Sequence, residues 1–222
     1  MTILPDLRIN MTYFFLKRII DIVGSICIGL IFLPICLVTA FAITIDSPGP
    51  VFADTPKRVG KNGRLFKLYK FRSMVVNAHQ MLRADPKFAK LYNDYKHNSY
   101  KLKKDPRVTS VGKFIRKHSI DEIPQLLNII KGDMSLVGPR PYYPDELVEQ
   151  QRKYPHTKEL VQIVLSAKPG VTGHWQVSGR SEVNFDKRIK MDADYVHRRS
   201  LLLDLSILLR TPWAMISGRG AV

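Results

Sequence analysis

The sequence is poor in acid. Its 222 residues carry 19 Asp and Glu against 35 Lys and Arg, a formal charge of +16 at neutral pH. No acid at all occurs from Lys57 to Arg72. Such a chain suits nucleic acid, anionic lipid or a phosphate-rich substrate as partner. It is poor in cysteine too. Two residues, Cys27 and Cys36, exclude a disulfide scaffold and a Cys-based zinc site. No repeat is visible, which argues against a solenoid. There is no G-x-x-x-x-G-K-[ST] phosphate loop, no dinucleotide fingerprint, and the six histidines form no H-E-x-x-H pattern. With 45% hydrophobic and 24% charged residues, the chain can still bury a core of about one domain.

What the chain does have is a long apolar run. Residues 22–45, between Asp21 and Asp46, hold no charge, and a membrane-spanning helix needs about 20 such residues. Three readings compete. A signal peptide fits poorly, because the apolar core exceeds the usual length and the leader before it is long, although Ala40-Phe41-Ala42 forms an A-x-A. A simple span places Lys17 and Arg18 on one side and the basic body on the other, against the positive-inside tendency. A re-entrant hairpin keeps both ends on the cytosolic side. Pro34, near the middle of the run, removes a backbone donor and supplies the break such a hairpin needs. Proline is also tolerated in spanning helices. On physical grounds alone, hairpin and span stand level. The two cysteines read as small apolar fillers.

Ser47-Pro48-Gly49-Pro50 marks a boundary, separating a membrane segment, 1–46, from a body, 47–222. Val51–Ala53 and Leu65–Arg72 read as strands, with Asn62-Gly63 as a hairpin turn between them. Period two puts Phe66, Leu68, Lys70 and Arg72 on one face, and Arg58 adds charge near the turn. A polar helical stretch from Asn77 to about Tyr100 breaks near Pro86. Helices are expected over Val111–Lys117 with Ser110 as cap, about Asp121–Ile130 ending at Gly132, Pro144–Tyr154, Lys158–Ala167 and Asn184–His197. Pro169-Gly170 reads as a turn and Gly173–Gly179 as extended. Leu201–Ser217 is apolar on too many sides for a surface helix, and reads as a core helix or one lying in a membrane interface.

Three islands could carry chemistry. In Ser119-Ile120-Asp121-Glu122-Ile123-Pro124, Ser119 and Glu122 have the spacing of a capping box, and acids favour a helix start. The other reading is a carboxylate pair able to bind Mg²⁺ or attack phosphorus. In Gly138-Pro139-Arg140-Pro141, two prolines fix the backbone around a guanidinium suited to clamping a phosphate; a tight turn with a solvated Arg is the plain alternative. Lys168-Pro169-Gly170-Val171-Thr172-Gly173, with Ser178-Gly179-Arg180, is a loop-rich third island whose glycines let backbone approach a ligand. Trp175 could stack on a base, though such a residue is more often core.

Together these islands resemble the bacterial sugar transferases, the monotopic polyprenyl-phosphate phosphoglycosyl transferases. The matching motifs are Lys70-Phe71-Arg72-Ser73-Met74, Asp121-Glu122-Ile123-Pro124-Gln125-Leu126, Gly132–Pro141, Pro169–Gly173 and Gly179-Arg180, in that order and spacing. The chain looks most like the larger catalytic form that transfers hexose 1-phosphate, galactose or glucose, with a helical insert after Met74.

The resemblance implies an α+β, mostly helical fold with a small β-hairpin, a Pro34-broken re-entrant membrane helix and an interfacial C-terminal helix. It implies transfer of hexose 1-phosphate from a UDP-sugar to undecaprenyl phosphate, with release of UMP, as the first step of a surface polysaccharide pathway such as exopolysaccharide, capsule or O-antigen. Asp121 is then the nucleophile that forms an aspartyl phosphosugar, and Glu122 orients metal and phosphate. Mg²⁺ is the implied cofactor, held by Asp121 with Glu122 or Asp133. Arg72, Arg140 and Arg180 are implied as phosphate contacts, and Lys70 and Arg58 join that set. The implied location is the cytoplasmic face of a bacterial inner membrane, with the bilayer as partner, no nucleic acid, and a homodimer compatible with the resemblance. Two departures stand out. Leu33 replaces the Ser that often precedes the re-entrant Pro, and Asp194 stands in Asp192-Ala193-Asp194-Tyr195 where relatives often read Asp-x-Tyr-Tyr. The chief rival is a membrane-anchored basic module that binds anionic lipid or nucleic acid without catalysis.

Overall fold

The computed structural model describes residues 11–97, 100, 102, 104–178 and 183–216. Its first element, α1 (Met11–Asp46), contains Pro34 and all of the apolar run. At 36 residues it is about 54 Å long, long and apolar enough to serve as a candidate membrane anchor. Phe15, Leu30, Ile31, Val38, Phe41 and Ile45 are all exposed along it.

One stripe of α1 nevertheless faces the body at both ends. Near its start, the Asp21 carboxylate accepts from Ser135 Oγ at 2.9 Å and from the Leu136 amide at 2.8 Å. Arg18 donates to the Ile129 and Ile130 carbonyls. Near its end, Ile43 packs with Phe71 and Ile115, and Asp46 accepts from the Val111 amide.

After the turn come β1 (Arg58–Val59) and β2 (Leu65–Phe66), an antiparallel pair closed by a 3-10 turn at Lys61–Gly63. Asn62-Gly63 is therefore the hairpin tip, but its first strand is Arg58–Val59 rather than Val51–Ala53. The earlier segment pairs further out, through a Phe52–Phe71 bridge, Ala53 N–H to Lys70 O and Arg72 N–H to Val51 O. The polar stretch forms α2 (Ala78–Ala84) and α3 (Ala89–His97), separated by a 3-10 turn that starts at Pro86. Helix α4 (Ser110–Lys117) is capped by Thr109, whose hydroxyl accepts from the Gly112 amide, not by Ser110.

A 3-10 helix over Ile120–Gln125 leads into α5 (Leu126–Lys131), which ends at Gly132 with φ +90°. Ser119 sits in the left-handed region with φ +56° and makes no side-chain cap bond. The expected capping box is therefore absent: a capping residue is typically extended, and Ser119 is not. Then follow β3 (Ser135–Val137), α6 (Pro144–Lys153), α7 (Lys158–Leu165), β4 (Gly170–Thr172), α8 (His174–Ser178), α9 (Phe185–Arg198) and α10 (Leu201–Ile216).

Two expectations fail at the third island. Gly170 opens a strand that runs parallel to β3, with Ser135 opposite Gly170 and Val137 opposite Thr172. Residues 174–178 are helical, not extended. The glycines serve this strand pair rather than a ligand. A Cβ on Gly170 would lie 2.1 Å from the Gly138 nitrogen, and one on Gly173 would lie 2.2 Å from the Gly138 carbonyl oxygen. The second and third islands are thus one packed unit. Leu126, Ile129, Met134, Leu136 and Val137 form the core beneath it. On α10, Ile207 is buried while Leu202, Leu205, Leu209 and Trp213 are exposed, so an apolar face lies open on this helix as on α1.

Candidate active site

Lys70, in the extended segment after β2, is aimed by its neighbours. Asn128, wholly buried on α5, accepts from the Tyr69 amide at 2.9 Å and donates to the Lys67 carbonyl at 2.8 Å. The Phe71 amide donates to the Asp121 carbonyl at 3.0 Å. These bonds fasten the Lys67–Phe71 segment alongside the 3-10 helix that carries the two acids. The Lys70 ammonium then lies 3.2 Å from Asp121 Oδ2 and 2.7 Å from Glu122 Oε1. The Asp121 side chain is 8% exposed and that of Glu122 37%.

The two acids are driven apart. Burial pushes the Asp121 carboxyl above the ordinary range, with the Glu122 charge adding to it and Lys70 opposing. Glu122 is held below its ordinary value. There burial also pushes upward, but Lys70, Arg140 and Arg58 together outweigh it. Lys70 is held above its ordinary value, because the two carboxylates outweigh the burial that opposes its charge. The shifts of the adjacent carboxylates are opposed because Lys70, Arg140 and Arg58 together outweigh burial at Glu122, while burial prevails at Asp121.

Two more cations border the pair. Arg140 follows β3, and its backbone amide donates to Asp192 Oδ2 at 3.1 Å. Its guanidinium lies over Trp175, 5.4 Å from the ring centroid. Burial and the nearby Arg188 push its pKa down. Arg58, buried on β1, donates to the Pro141 carbonyl at 3.2 Å. The Nε atoms of Arg58 and Arg140 are buried and lack a hydrogen-bond partner, which is costly unless a ligand or water supplies one.

The structure therefore brings together Arg58, Lys70, Asp121, Glu122 and Arg140. It does not add Arg72. All five N–H groups of that guanidinium go to the turn after α1: Nε to Pro50 O, Nη1 to Ser47 Oγ and Pro48 O, and Nη2 to Ser47 O and Gly49 O. Asp133 lies at the end of α5, where its amide donates to the Asn128 carbonyl. Among the described residues no group of three or more His, Cys, Asp or Glu comes together, so Asp133 does not join the acid pair in such a cluster. Arg180 lies outside the described residues. Asp194 is exposed, and so is Leu33.

Residue-type motifs missed the supporting shell. Asp192 is fully buried, accepts from the Tyr142 hydroxyl at 2.9 Å as well as from Arg140, and leaves Oδ1 without a partner. Burial raises its pKa to about 7. Beside it, Arg188 and Glu146 form an ion pair at 2.7 Å with both side chains 0% exposed. A charged residue on the apolar stripe of α9 was the available signal for Asp192 and Arg188.

These features place a buried acid, a neighbouring fixed acid and three cations at one site beside a membrane-type helix. The profile of the family described as "Bacterial sugar transferase" matches residues 12–218, and the chain belongs to that family. It is 44% identical over 207 residues to an undecaprenyl-phosphate galactose phosphotransferase of Salmonella typhimurium, covering 93% of this chain and 42% of that one. It is 39% identical to the exopolysaccharide production protein ExoY of Sinorhizobium fredii, covering 92% and 87%. It is 35% identical to an undecaprenyl-phosphate glucose phosphotransferase of Komagataeibacter xylinus, covering 92% and 36%. The chain thus spans less than half the length of the Salmonella and Komagataeibacter relatives, and most of ExoY.

Proposed function

We propose that the protein transfers a hexose 1-phosphate from a UDP-sugar to undecaprenyl phosphate, releasing UMP and starting a surface polysaccharide. The observation that carries this reading is the Lys70-bridged Asp121–Glu122 pair, bordered by Arg58 and Arg140, in a chain of this family. In the first half-reaction an Asp121 oxygen attacks the phosphorus that bears the sugar. The bond to the UMP oxygen breaks, and UMP leaves with that electron pair. In the second, a phosphate oxygen of undecaprenyl phosphate attacks the same phosphorus and displaces Asp121. The covalent stage lets a soluble and a membrane-bound substrate use one site in turn.

Charge sets the difficulty. A carboxylate approaching a diphosphate meets repulsion, and fixed cations offset it during transfer. Arg58 and Arg140 have buried donors free for phosphate oxygens. Lys70 lowers the cost of ionising the buried Asp121. The donor set suits Mg²⁺, which binds through one or two carboxylates plus substrate phosphates and water. Asp121 and Glu122 would hold it, and it would supply positive charge to the diphosphate and the departing UMP.

The membrane arrangement follows from α1. A helix that crossed the bilayer would put about 30 Å of hydrocarbon between its ends, whereas polar bonds near both ends of α1 go to the same body. This supports a re-entrant helix bent at Pro34, with the apolar face of α10 lying in the same interface. The body then sits at the cytoplasmic face, where anionic headgroups attract its excess charge.

The test is UMP release from a panel of UDP-sugars with undecaprenyl phosphate and Mg²⁺. Wild type should release UMP from one class of donor, dependent on lipid and metal, and Asp121→Asn should lose at least about 10³-fold. Unchanged release by the mutant would remove Asp121 from the role of nucleophile.

A further inference from the structure

The segment between Met74 and Val108 has no part in the chemistry above, yet it is firmly docked. Its base is closed by a Met74–Val108 bridge and by the Val75 amide donating to the Arg107 carbonyl. Arg107, itself buried, donates to the Ala78 carbonyl and to Asp105. Its outer part is tied to α6, where Lys96 and the Tyr100 hydroxyl each lie 2.6 Å from Glu149 and Arg83 pairs with Asp145. Its apolar residues Leu82, Tyr95 and Tyr100 close, among the described residues, on one buried residue outside it, Tyr143, the third residue after Arg140.

Tyr143 stands between the insert and the site. The Tyr100 ring lies 6.4 Å from it on the insert side, and the His79 ring meets it edge-on at 5.8 Å. Burial, together with Arg107 and Arg58, pushes the His79 pKa down to about 4. His79 is therefore neutral near pH 7, and its Nε2 lies 3.4 Å from the Tyr143 hydroxyl. The Arg58 guanidinium carbon lies 3.2 Å from the centroid of the Tyr143 ring. The guanidinium thus lies over the ring face, a placement in which arginine and lysine are not interchangeable.

Arg58 is one of the cations close enough to Glu122 and Lys70 to act on their charge. With Nη1 on the Pro141 carbonyl and Nε without a partner, its orientation is fixed by the ring contact rather than by hydrogen bonds at every donor. The chain of support runs from insert to Tyr143, from Tyr143 to Arg58, and from Arg58 to the site.

We propose that Tyr143 is a positioning residue for donor recognition: the insert holds the Tyr143 ring, and the ring sets the Arg58 guanidinium to receive the diphosphate of the nucleotide sugar. This rests on the sugar-transferase reading and adds to it a division of labour. The Tyr143–Arg58 contact serves the soluble substrate and not the lipid acceptor. It also gives the insert a function, as a buttress for one wall of the site.

The experiment uses the full chain in lipid nanodiscs, with UMP release measured against UDP-sugar at saturating acceptor and against acceptor at saturating UDP-sugar. Tyr143→Leu should raise the KM for UDP-sugar by about tenfold, with kcat and the acceptor KM within about twofold of wild type. Tyr143→Phe keeps the ring and should restore the donor KM to within about twofold. Arg58→Lys should raise the donor KM as Tyr143→Leu does, and the double variant should add little, because both break the same contact. An unchanged donor KM in Tyr143→Leu overturns the proposal. So does a loss that falls equally on donor, acceptor and thermal midpoint, and so do strictly additive effects in the double variant. Equilibrium binding of UDP, the probe that needs no turnover, separates the two levels. If wild type releases no UMP from any donor, the transferase reading fails. If UDP then binds wild type and Tyr143→Leu equally, the positioning role fails with it, whereas a tenfold weaker affinity upholds that role.

Discussion

Two lysine–aspartate pairs hold this protein together, and they differ in how completely their partners are satisfied. At the root of α1, Lys17 lies 2.8 Å from Asp204 Oδ2 and also donates to the Val137 carbonyl. Asp204 accepts in addition from the Tyr13 hydroxyl at 3.0 Å and the Tyr195 hydroxyl at 2.6 Å. Four elements, α1, β3, α9 and α10, meet in one buried and closed network. At the other pair, Lys70 is shared between Asp121 and Glu122, one acid buried and the other partly open. Closure marks the first pair as a fastening. Division of one cation between two unlike acids is what the proposed reaction, with its change of charge, would use at the second. The arginines divide in the same way: Arg72 has all five donors engaged by one turn, while Arg58 and Arg140 keep buried Nε groups without partners.

The largest effect tests this contrast directly. Asp204→Ala leaves Lys17 buried without its carboxylate and should cost about 3–5 kcal/mol of stability, the usual result of removing one member of a buried pair. It should appear as a large drop in thermal midpoint in detergent. Asp121→Asn should do the opposite. Burial holds the Asp121 pKa up, so its charge is disfavoured in the fold. Removing that charge leaves stability unchanged or higher while activity is lost. A drop in midpoint of the same size for both variants would erase the distinction.

Asp192 supplies the next test, because it lies between the two types. Both its hydrogen bonds support the Arg140 loop, yet Oδ1 is unpartnered and the pKa is raised to about 7. The unfolded chain binds this proton only below about pH 4. Between about pH 4 and pH 7 the folded state therefore holds more protons than the unfolded state, and stability falls as the pH rises through that window. The contribution is at most roughly 4 kcal/mol, from about three pH units at 1.36 kcal/mol each. Asp192→Asn should flatten this slope, measured as denaturant stability at pH 4.5 and 7.5. A slope unchanged in the variant would assign the pH dependence to other groups.

Part of the candidate site was legible because its acids are scarce in this chain and its arginine lies in an unusual setting. Asp121 and Glu122 stand out in a basic sequence, and the prolines around Arg140 mark a fixed loop. The hairpin tip at Asn62-Gly63 was readable from turn chemistry alone. What escaped depends on contacts distant in sequence. The parallel β3–β4 pair joins residues about 35 positions apart in three-residue strands, too short for periodicity to show. The glycines of the third island read as room for a ligand, whereas their room is filled by the backbone of Gly138. Arg72 was expected as a phosphate contact because it falls in the family's Lys-Phe-Arg-Ser-Met motif. Only the path of residues 47–50 shows that its donors are already engaged. Asn128 and Tyr143 carry no chemical signature of their own and matter only through what they hold.

The smallest effect is the finest test of the contrast. Lys70→Met removes the shared cation but leaves Arg58 and Arg140 in place, so the site keeps most of its affinity for phosphate. The loss should fall on turnover, by about 10²-fold or about 3 kcal/mol, the scale reported for one preorganised charge at a reacting centre. It should also carry a signature in pH. In the proposed reaction Asp121 attacks in its ionised form, and its pKa is already raised, with Lys70 as the largest influence opposing the rise. Without Lys70 the pKa rises further, so the acid limb of the kcat/KM profile moves to higher pH. Lys17→Met, at the closed pair, should lower the thermal midpoint and leave that limb where it is. If Lys70→Met weakened turnover with no movement of the limb, Lys70 would be acting on the substrate phosphate rather than on Asp121, and the division of one cation between two acids would lose its catalytic meaning.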